Sequence, residues 1–121
     1  MKFLDLNNAI CCMRAKYQKE RAKIDEMITT KMYKSEVVYN KYSSAINAQC
    51  VFIESLLTLA AQLSGSGELP LYEYIAGADV EADVVEKTML VIERANREMA
   101  FLDMLLNWAS TSERFNSAVS F

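Results

Sequence analysis

Residues 1–64 read MKFLDLNNAICCMRAKYQKERAKIDEMITTKMYKSEVVYNKYSSAINAQCVFIESLLTLAAQLS, and this half of the chain contains neither glycine nor proline. The first glycine is Gly65, and the single proline is Pro70. Glycine and proline are the residues that most disfavour a helix interior, so their absence favours long helices. The stretch predicts an all-α protein.

Three helices of similar length follow from the breaks in the chain. The Gly- and Ser-rich segment after residue 63 ends the first half, and the threonine pair before Ser35 favours a break between residues 29 and 35. We expect helices over residues 5–29, 36–64 and 80–109, each about 37–45 Å long. A single continuous helix over residues 5–64 is the alternative. Near-equal lengths predict an antiparallel bundle of three long helices, with a short connecting helix at 71–75.

The third helix carries its own boundary signals. Asp79 is the expected N-cap, and acidic residues follow it in the first turn, where they favour the positive end of a helix. Asn107 and Trp108 are expected to end the core. Residues 1–111 then form one helical domain, and residues 112–121 form a polar C-terminal tail.

The middle helix is apolar on two sides. One stripe has the spacing of a helix face, and we expect it to face the core. It consists of Val38, Tyr42, Ala45, Phe52, Leu56, Leu59 and Leu63, and it is broadened by Ile46, Ile53 and Leu57. A second apolar face is formed by Tyr39, Ile46, Cys50, Ile53, Leu57 and Ala60. A helix that is apolar over more than half its circumference needs neighbours on two sides, so we expect a homo-oligomer.

Aromatic and large apolar side chains are the residue types that dominate binding at interfaces. The candidate interface residues are Tyr33, Tyr39, Ile46, Ile53, Leu57, Trp108 and Phe115.

Charge is distributed unevenly along the chain. Residues 1–41 carry nine Lys or Arg against five Asp or Glu, and the remaining residues carry four against eleven, for a net charge of −3. A candidate basic face is formed by Lys16, Lys19, Lys23, Lys31 and Lys34. The first helix is expected to lie against acidic neighbours in the fold or across a subunit contact. Acidic residues are interleaved with the lysines and the whole chain is acidic, so nucleic acid is not the expected partner.

The sequence shows no motif typical of catalysis or metal binding. The chain has no histidine, which removes the usual general base and the common ligand of zinc. The acidic run at 79–83 lacks the glycine and the closing glutamate of a calcium loop, and the glycines at 65 and 67 lack the lysine of a phosphate loop. We expect no enzyme activity, no catalytic residue, no metal site and no cofactor.

The expected location is the cytoplasm. Three cysteines, two of them adjacent, do not form a disulfide framework, and Asp5 interrupts any apolar export signal. The most apolar stretch, residues 51–63, is too short and too polar to be expected to cross a membrane.

Two functions remain open. The favoured one is a non-catalytic helical protein that acts by protein–protein interaction, as an accessory chaperone, adaptor or inhibitor, and that self-associates. The alternative is a bundle that binds or sequesters a small molecule in a pocket between helices or subunits, where tyrosines would stack on the ligand and Lys or Arg of the first helix would meet an anionic group.

Overall fold

A computed structural model describes the backbone of residues 1–29, 36–65 and 77–119, and the side chains of 1–26, 42–65 and 77–109. The described residues form three α-helices: α1, Phe3–Thr29; α2, Glu36–Ser64; and α3, Ala82–Val119. The all-α prediction is confirmed. The connecting helix expected at 71–75 and the link between α1 and α2 lie outside the described residues.

The start of α1 is tied to the segment that precedes α3. The Phe3 amide donates to the Ala78 carbonyl at 2.9 Å, and the Val80 amide donates to the Met1 carbonyl at 3.0 Å. Lys2 also pairs with Asp79 at 3.0 Å, which lowers the pKa of that carboxyl group. The prediction that Asp79 caps α3 is therefore wrong, because the helix begins at Ala82 and the Asp79 carboxylate faces Lys2 instead.

Contacts between the helices give their directions. Lys16 donates to Asn96, and Lys23 pairs with Asp103. In both pairs the residue of α3 lies 80 positions after the residue of α1, so the two helices run parallel. Along α2 the order is reversed: Gln49 contacts Glu98, whereas Ala60 packs with Ile10 and Ile92. Helix α2 is therefore antiparallel to the other two, and each helix contacts both of its neighbours.

The core lies along the line where the three helices meet. Its fully buried large side chains come from all three helices, and they are Leu6, Ile10, Ile53, Met99 and Leu102. Tyr17 and Ile24 of α1 join the larger cluster, as the helical spacing of the sequence indicates. Full burial of one such apolar side chain is worth about 1.5–3 kcal/mol, so this line of side chains holds the helices together.

Helix α2 turns its expected second face toward the core, which corrects the sequence interpretation. Ile46, Cys50, Ile53, Leu57 and Ala60 are buried. Phe52, Leu59 and Leu63 of the stripe expected to be core are instead 36–41% exposed. The two faces are similarly apolar, so periodicity does not separate them. The buried face carries smaller residues, Cys50, Ala60 and Ala61, and these allow α1 and α3 to approach closely.

Helix α3 is longer than predicted. It continues to Val119, ten residues past the expected end at Ala109, and the proposed boundary at residues 111–112 falls inside the helix. No glycine or proline follows Gly77, and serine and threonine cost a helix only a few tenths of a kcal/mol each. Because residues of α1 lie beside α3 residues 80 positions later, Thr29 at the end of α1 is level with Ala109. The last ten residues of α3 therefore extend about 15 Å beyond the end of α1.

A polar network joins α2 to α3 beside the core. The Gln49 amide donates to Glu98 Oε2 at 2.6 Å and to the Glu98 carbonyl at 2.9 Å, while Arg94 Nε donates to Glu98 Oε1 at 2.8 Å. Gln49 is buried, and its hydrogen bond, aided by Arg94, lowers the pKa of the Glu98 carboxyl group. Gln49 is the polar side chain on the inward face of α2 at this level, and the network supplies its hydrogen-bond partners.

Replacing Gln49 with leucine should lower the free energy of unfolding by about 1.5–3 kcal/mol at pH 7, because the Glu98 carboxylate loses a hydrogen bond. A lowered pKa means that this stability is present above the unfolded value of about 4.3 and is lost as pH falls through the folded value. The cost of Gln49→Leu should therefore shrink at pH 3. Urea denaturation at both pH values measures it, with Gln62→Leu, at an exposed site of α2, as the control. Equal costs at the two pH values would contradict the role of Glu98.

Candidate functional site: an exposed apolar face and a polar groove

The structure separates the predicted interface residues into three groups. Ile46, Ile53 and Leu57 are at most 5% exposed and pack inside the chain's own core, so their assignment to an interface is wrong. Trp108 is 48% exposed and remains a candidate. Tyr33 and the side chains of Tyr39 and Phe115 lie outside the described residues.

Helix α2 carries a stripe of exposed apolar side chains on its outer side. Phe52, Leu59 and Leu63 fall on this stripe, with half-buried Leu56 beside them. Ala45 and Ala48 continue it toward the start of the helix, and both are exposed. The spacing of three, four and seven residues places all of these side chains along one side of the helix.

Helix α3 carries a matching stripe that the sequence interpretation missed. Its exposed apolar members are Leu90, Phe101, Met104 and Trp108. Together with Arg94 and Arg97 they follow the alternating four-and-three spacing of a coiled-coil seam. The four-and-three spacing is the feature of the sequence that could have identified this stripe. Its two arginines, however, are typical of a helix face exposed to solvent.

One contact joins the two stripes. The Arg94 guanidinium lies over the Phe52 ring, 5.5 Å from its centre, in cation–π geometry. We define the α2–α3 face by Phe52, Leu59, Leu63, Leu90, Phe101 and Trp108. Aromatic residues and arginine are enriched at protein–protein interfaces, and this face combines Phe52, Phe101 and Trp108 with Arg94.

Two of the three described lysines of the predicted basic face are engaged within the chain. Lys16 donates to Asn96, and Lys23 pairs with Glu20 at 3.1 Å and with Asp103 at 2.9 Å. These acidic partners raise the pKa of Lys23, with Asp103 the larger influence. Lys19 is exposed, and Lys31 and Lys34 lie outside the described residues. The lysines of α1 that point at α3 therefore help to position the helices.

A polar groove lies between α1 and α2, on the other side of α2 from the exposed stripe. It has a volume of about 320 Å³, opens to solvent, and is lined by Arg14, Tyr17, Gln18, Glu54, Leu57 and Thr58. The Tyr17 hydroxyl donates to the Cys50 carbonyl at 3.4 Å, and Arg21 reaches the Cys50 sulfur at 3.6 Å. Burial, followed by Cys50 and Glu54, raises the pKa of the Tyr17 hydroxyl above its usual range.

Removing the Tyr17 hydroxyl should change how stability depends on alkaline pH. A raised pKa means that the neutral phenol stabilises the fold fully below the unfolded value of about 10, and that this stability is lost as pH rises through the folded value. Tyr17→Phe should cost about 0.5–1.5 kcal/mol at pH 8, for one hydrogen bond. It should also lose less stability than the wild type between pH 9 and 11. Denaturant unfolding across that range tests this, and parallel losses in the two proteins would contradict it.

The described residues contain no group of three or more side chains suited to hold a metal ion. Cys11 and Cys12 are exposed free thiols, and Cys50 is a buried one. The expectation for residues 51–63 concerned a shorter stretch: among the described residues, Tyr42–Ser64 is long and apolar enough to cross a membrane, and 39% of its most apolar window is buried inside the protein. Length and composition alone are weak evidence for a membrane span, because the core helix of a soluble protein can meet the same criteria.

Comparison with protein-family models, with curated proteins and with solved structures gives no match for this chain.

Proposed function

We propose that this chain is a non-catalytic three-helix bundle that acts through protein–protein interaction and self-associates through the α2–α3 face. The observation that carries the proposal is the pair of exposed apolar stripes on neighbouring helices, linked by Arg94 and Phe52. Burying them on a second copy would remove most of this apolar surface from water at about 25 cal/mol per Å².

Two features support a role in binding rather than in chemistry. The sequence has no histidine. Gln49 and Tyr17, two polar side chains that approach the core, are held by hydrogen bonds within the fold. The exposed thiols of Cys11 and Cys12 are free, which suits the reducing cytoplasm in which we place the protein.

The test is the melting temperature of the wild-type chain over a hundredfold range of concentration. If the folded chains associate, dilution separates them and the melting temperature falls, since binding stabilises the folded state by mass action. The measurement is circular dichroism at 222 nm, with the same buffer throughout. A melting temperature that stays constant over the range would reject self-association as a source of stability.

A second candidate function is small-molecule binding in the polar groove. Arg14 and Glu54 line it, and they offer a cation and a carboxylate to a ligand. Small organic anions suit the first of these groups. A rise in melting temperature with such compounds that disappears in Arg14→Ala would support this function, and no rise with any of them would reject it.

A further inference from the structure

We propose that the polar groove between α1 and α2 binds a small zwitterion, an α-amino acid with an apolar side chain, whose carboxylate pairs with Arg14 and whose ammonium group pairs with Glu54. This inference rests on the second candidate function above and names the ligand class of the same groove. Two opposite charges that face each other across the groove, each without an ion pair among the described residues, carry the inference.

The groove is built from the same pattern on both helices. Each helix contributes residues at positions i, i+3 and i+4, of which the outer two are polar and exposed and the middle one is buried. This spacing places the three side chains of each helix on one face. The walls are therefore Arg14 and Gln18 on α1 and Glu54 and Thr58 on α2, and the floor is Tyr17 and Leu57.

The two charged residues of the groove lie opposite each other. The Tyr17 hydroxyl donates to the Cys50 carbonyl, so these two residues are side by side. Because α1 and α2 are antiparallel, Arg14, three residues before Tyr17, lies level with the α2 turn that carries Glu54. Burial, Cys50 and Glu54, in that order, raise the pKa of the Tyr17 hydroxyl, so the Glu54 carboxylate lies near the floor of the groove.

Neither charge has an ion pair within the part of the chain that the structure describes. The ion pairs there involve Lys2, Lys23 and Arg94 with acidic residues elsewhere. The sequence provides no pair along either helix, since no acidic residue stands three or four positions from Arg14 and no basic residue stands so from Glu54. Direct pairing of two exposed side chains across the groove would contribute little, so a ligand that carries both charges can replace it.

The charges and the floor together select the ligand class. An anion would neutralise Arg14 but lie beside the like charge of Glu54, and a cation would meet the reverse problem. A zwitterion gives each side chain a counterion and charge-assisted hydrogen bonds. The groove, of about 320 Å³, is large enough for a single amino acid, whose apolar side chain would lie on Leu57 and on the ring of Tyr17.

Three probes with one carbon skeleton separate the two charges. At pH 7 L-leucine carries both, isocaproate carries the carboxylate alone, and isoamylamine carries the ammonium group alone. Each probe is titrated into the full chain, and binding is followed by the amide chemical shifts of isotope-labelled protein. The same titrations are made with Arg14→Gln and with Glu54→Gln. The matched control is Lys19→Gln, which removes a charge from an exposed position of α1 outside the groove.

We expect L-leucine to bind about tenfold or more tightly than either analogue, because each analogue lacks one charge-assisted hydrogen bond. Arg14→Gln and Glu54→Gln should each weaken L-leucine binding by a similar factor, and Lys19→Gln should not change it. Circular dichroism confirms that all three variants are helical.

Two kinds of result would overturn the assignment of a zwitterion. An analogue that binds as tightly as L-leucine, or a groove variant that binds L-leucine as the wild type does, would do so while small-molecule binding in the groove stands. If none of the three probes binds, both the zwitterion and the second candidate function are wrong.

Discussion

Leu59→Arg should reduce the solution mass of the protein from that of an oligomer to that of one chain. Leu59 lies in the middle of the exposed stripe of α2 and is 41% exposed, so the single chain can accept a longer, charged side chain there. In the associated state proposed above, the same guanidinium would be buried in the contact between the chains. Burying an unpaired charge costs far more than the contact it replaces contributes.

The matched control is Asn47→Arg, which adds the same charge to an exposed position on the other side of α2. It should leave the mass unchanged. Light scattering coupled to gel filtration measures both variants, and circular dichroism confirms that both are helical. If Leu59→Arg keeps the wild-type mass, the α2–α3 face is not the surface through which the chains associate.

The second large effect concerns the inward face of α2. Ile53 has no exposed surface and packs among Tyr17, Met99 and Leu102 in the main cluster. Ile53→Ala removes three carbon atoms and leaves a cavity, so we expect the free energy of unfolding to fall by about 2–5 kcal/mol. That range is a large part of the stability of a domain of this size.

Val51→Ala is the control for this prediction. Val51 is also β-branched, lies two residues away and is 62% exposed, so its replacement should change the free energy of unfolding by less than about 0.5 kcal/mol. Urea denaturation of the three proteins at one concentration gives both values. Equal losses at positions 51 and 53, or a loss at Ile53 below about 1 kcal/mol, would show that α2 does not turn this face inward.

The presence of three helices could be read from the sequence, because Gly65, Pro70 and the polar residues near Ser35 mark the breaks, but the bounds of α3 could not. Ile10, Tyr17 and Ile24 also recur at the seven-residue spacing of one helix face, and all three are buried. These features are local. They depend on backbone preference and on the spacing of apolar residues within a single helix.

The orientation of α2 could not be read in the same way. Both of its faces are apolar, and the choice between them depends on which one fits α1 and α3. The hydrogen bonds from Gln49 to Glu98 and the burial of the small residues Cys50 and Ala60 accompany that choice, and they act between helices. Because packing between helices decides which residues are exposed, the sequence analysis assigned Ile53 and Leu57 to an interface. It also did not identify Leu90 and Phe101, which are exposed on α3.

The most direct test of the account is the solution mass of the wild-type chain, measured by light scattering from low to high concentration. We predict about twice the 13.7 kDa of one chain at high concentration, falling toward 13.7 kDa only on dilution. A mass of 13.7 kDa at every concentration would contradict the account, because the exposed apolar residues of α2 and α3 would then have no second copy to cover them.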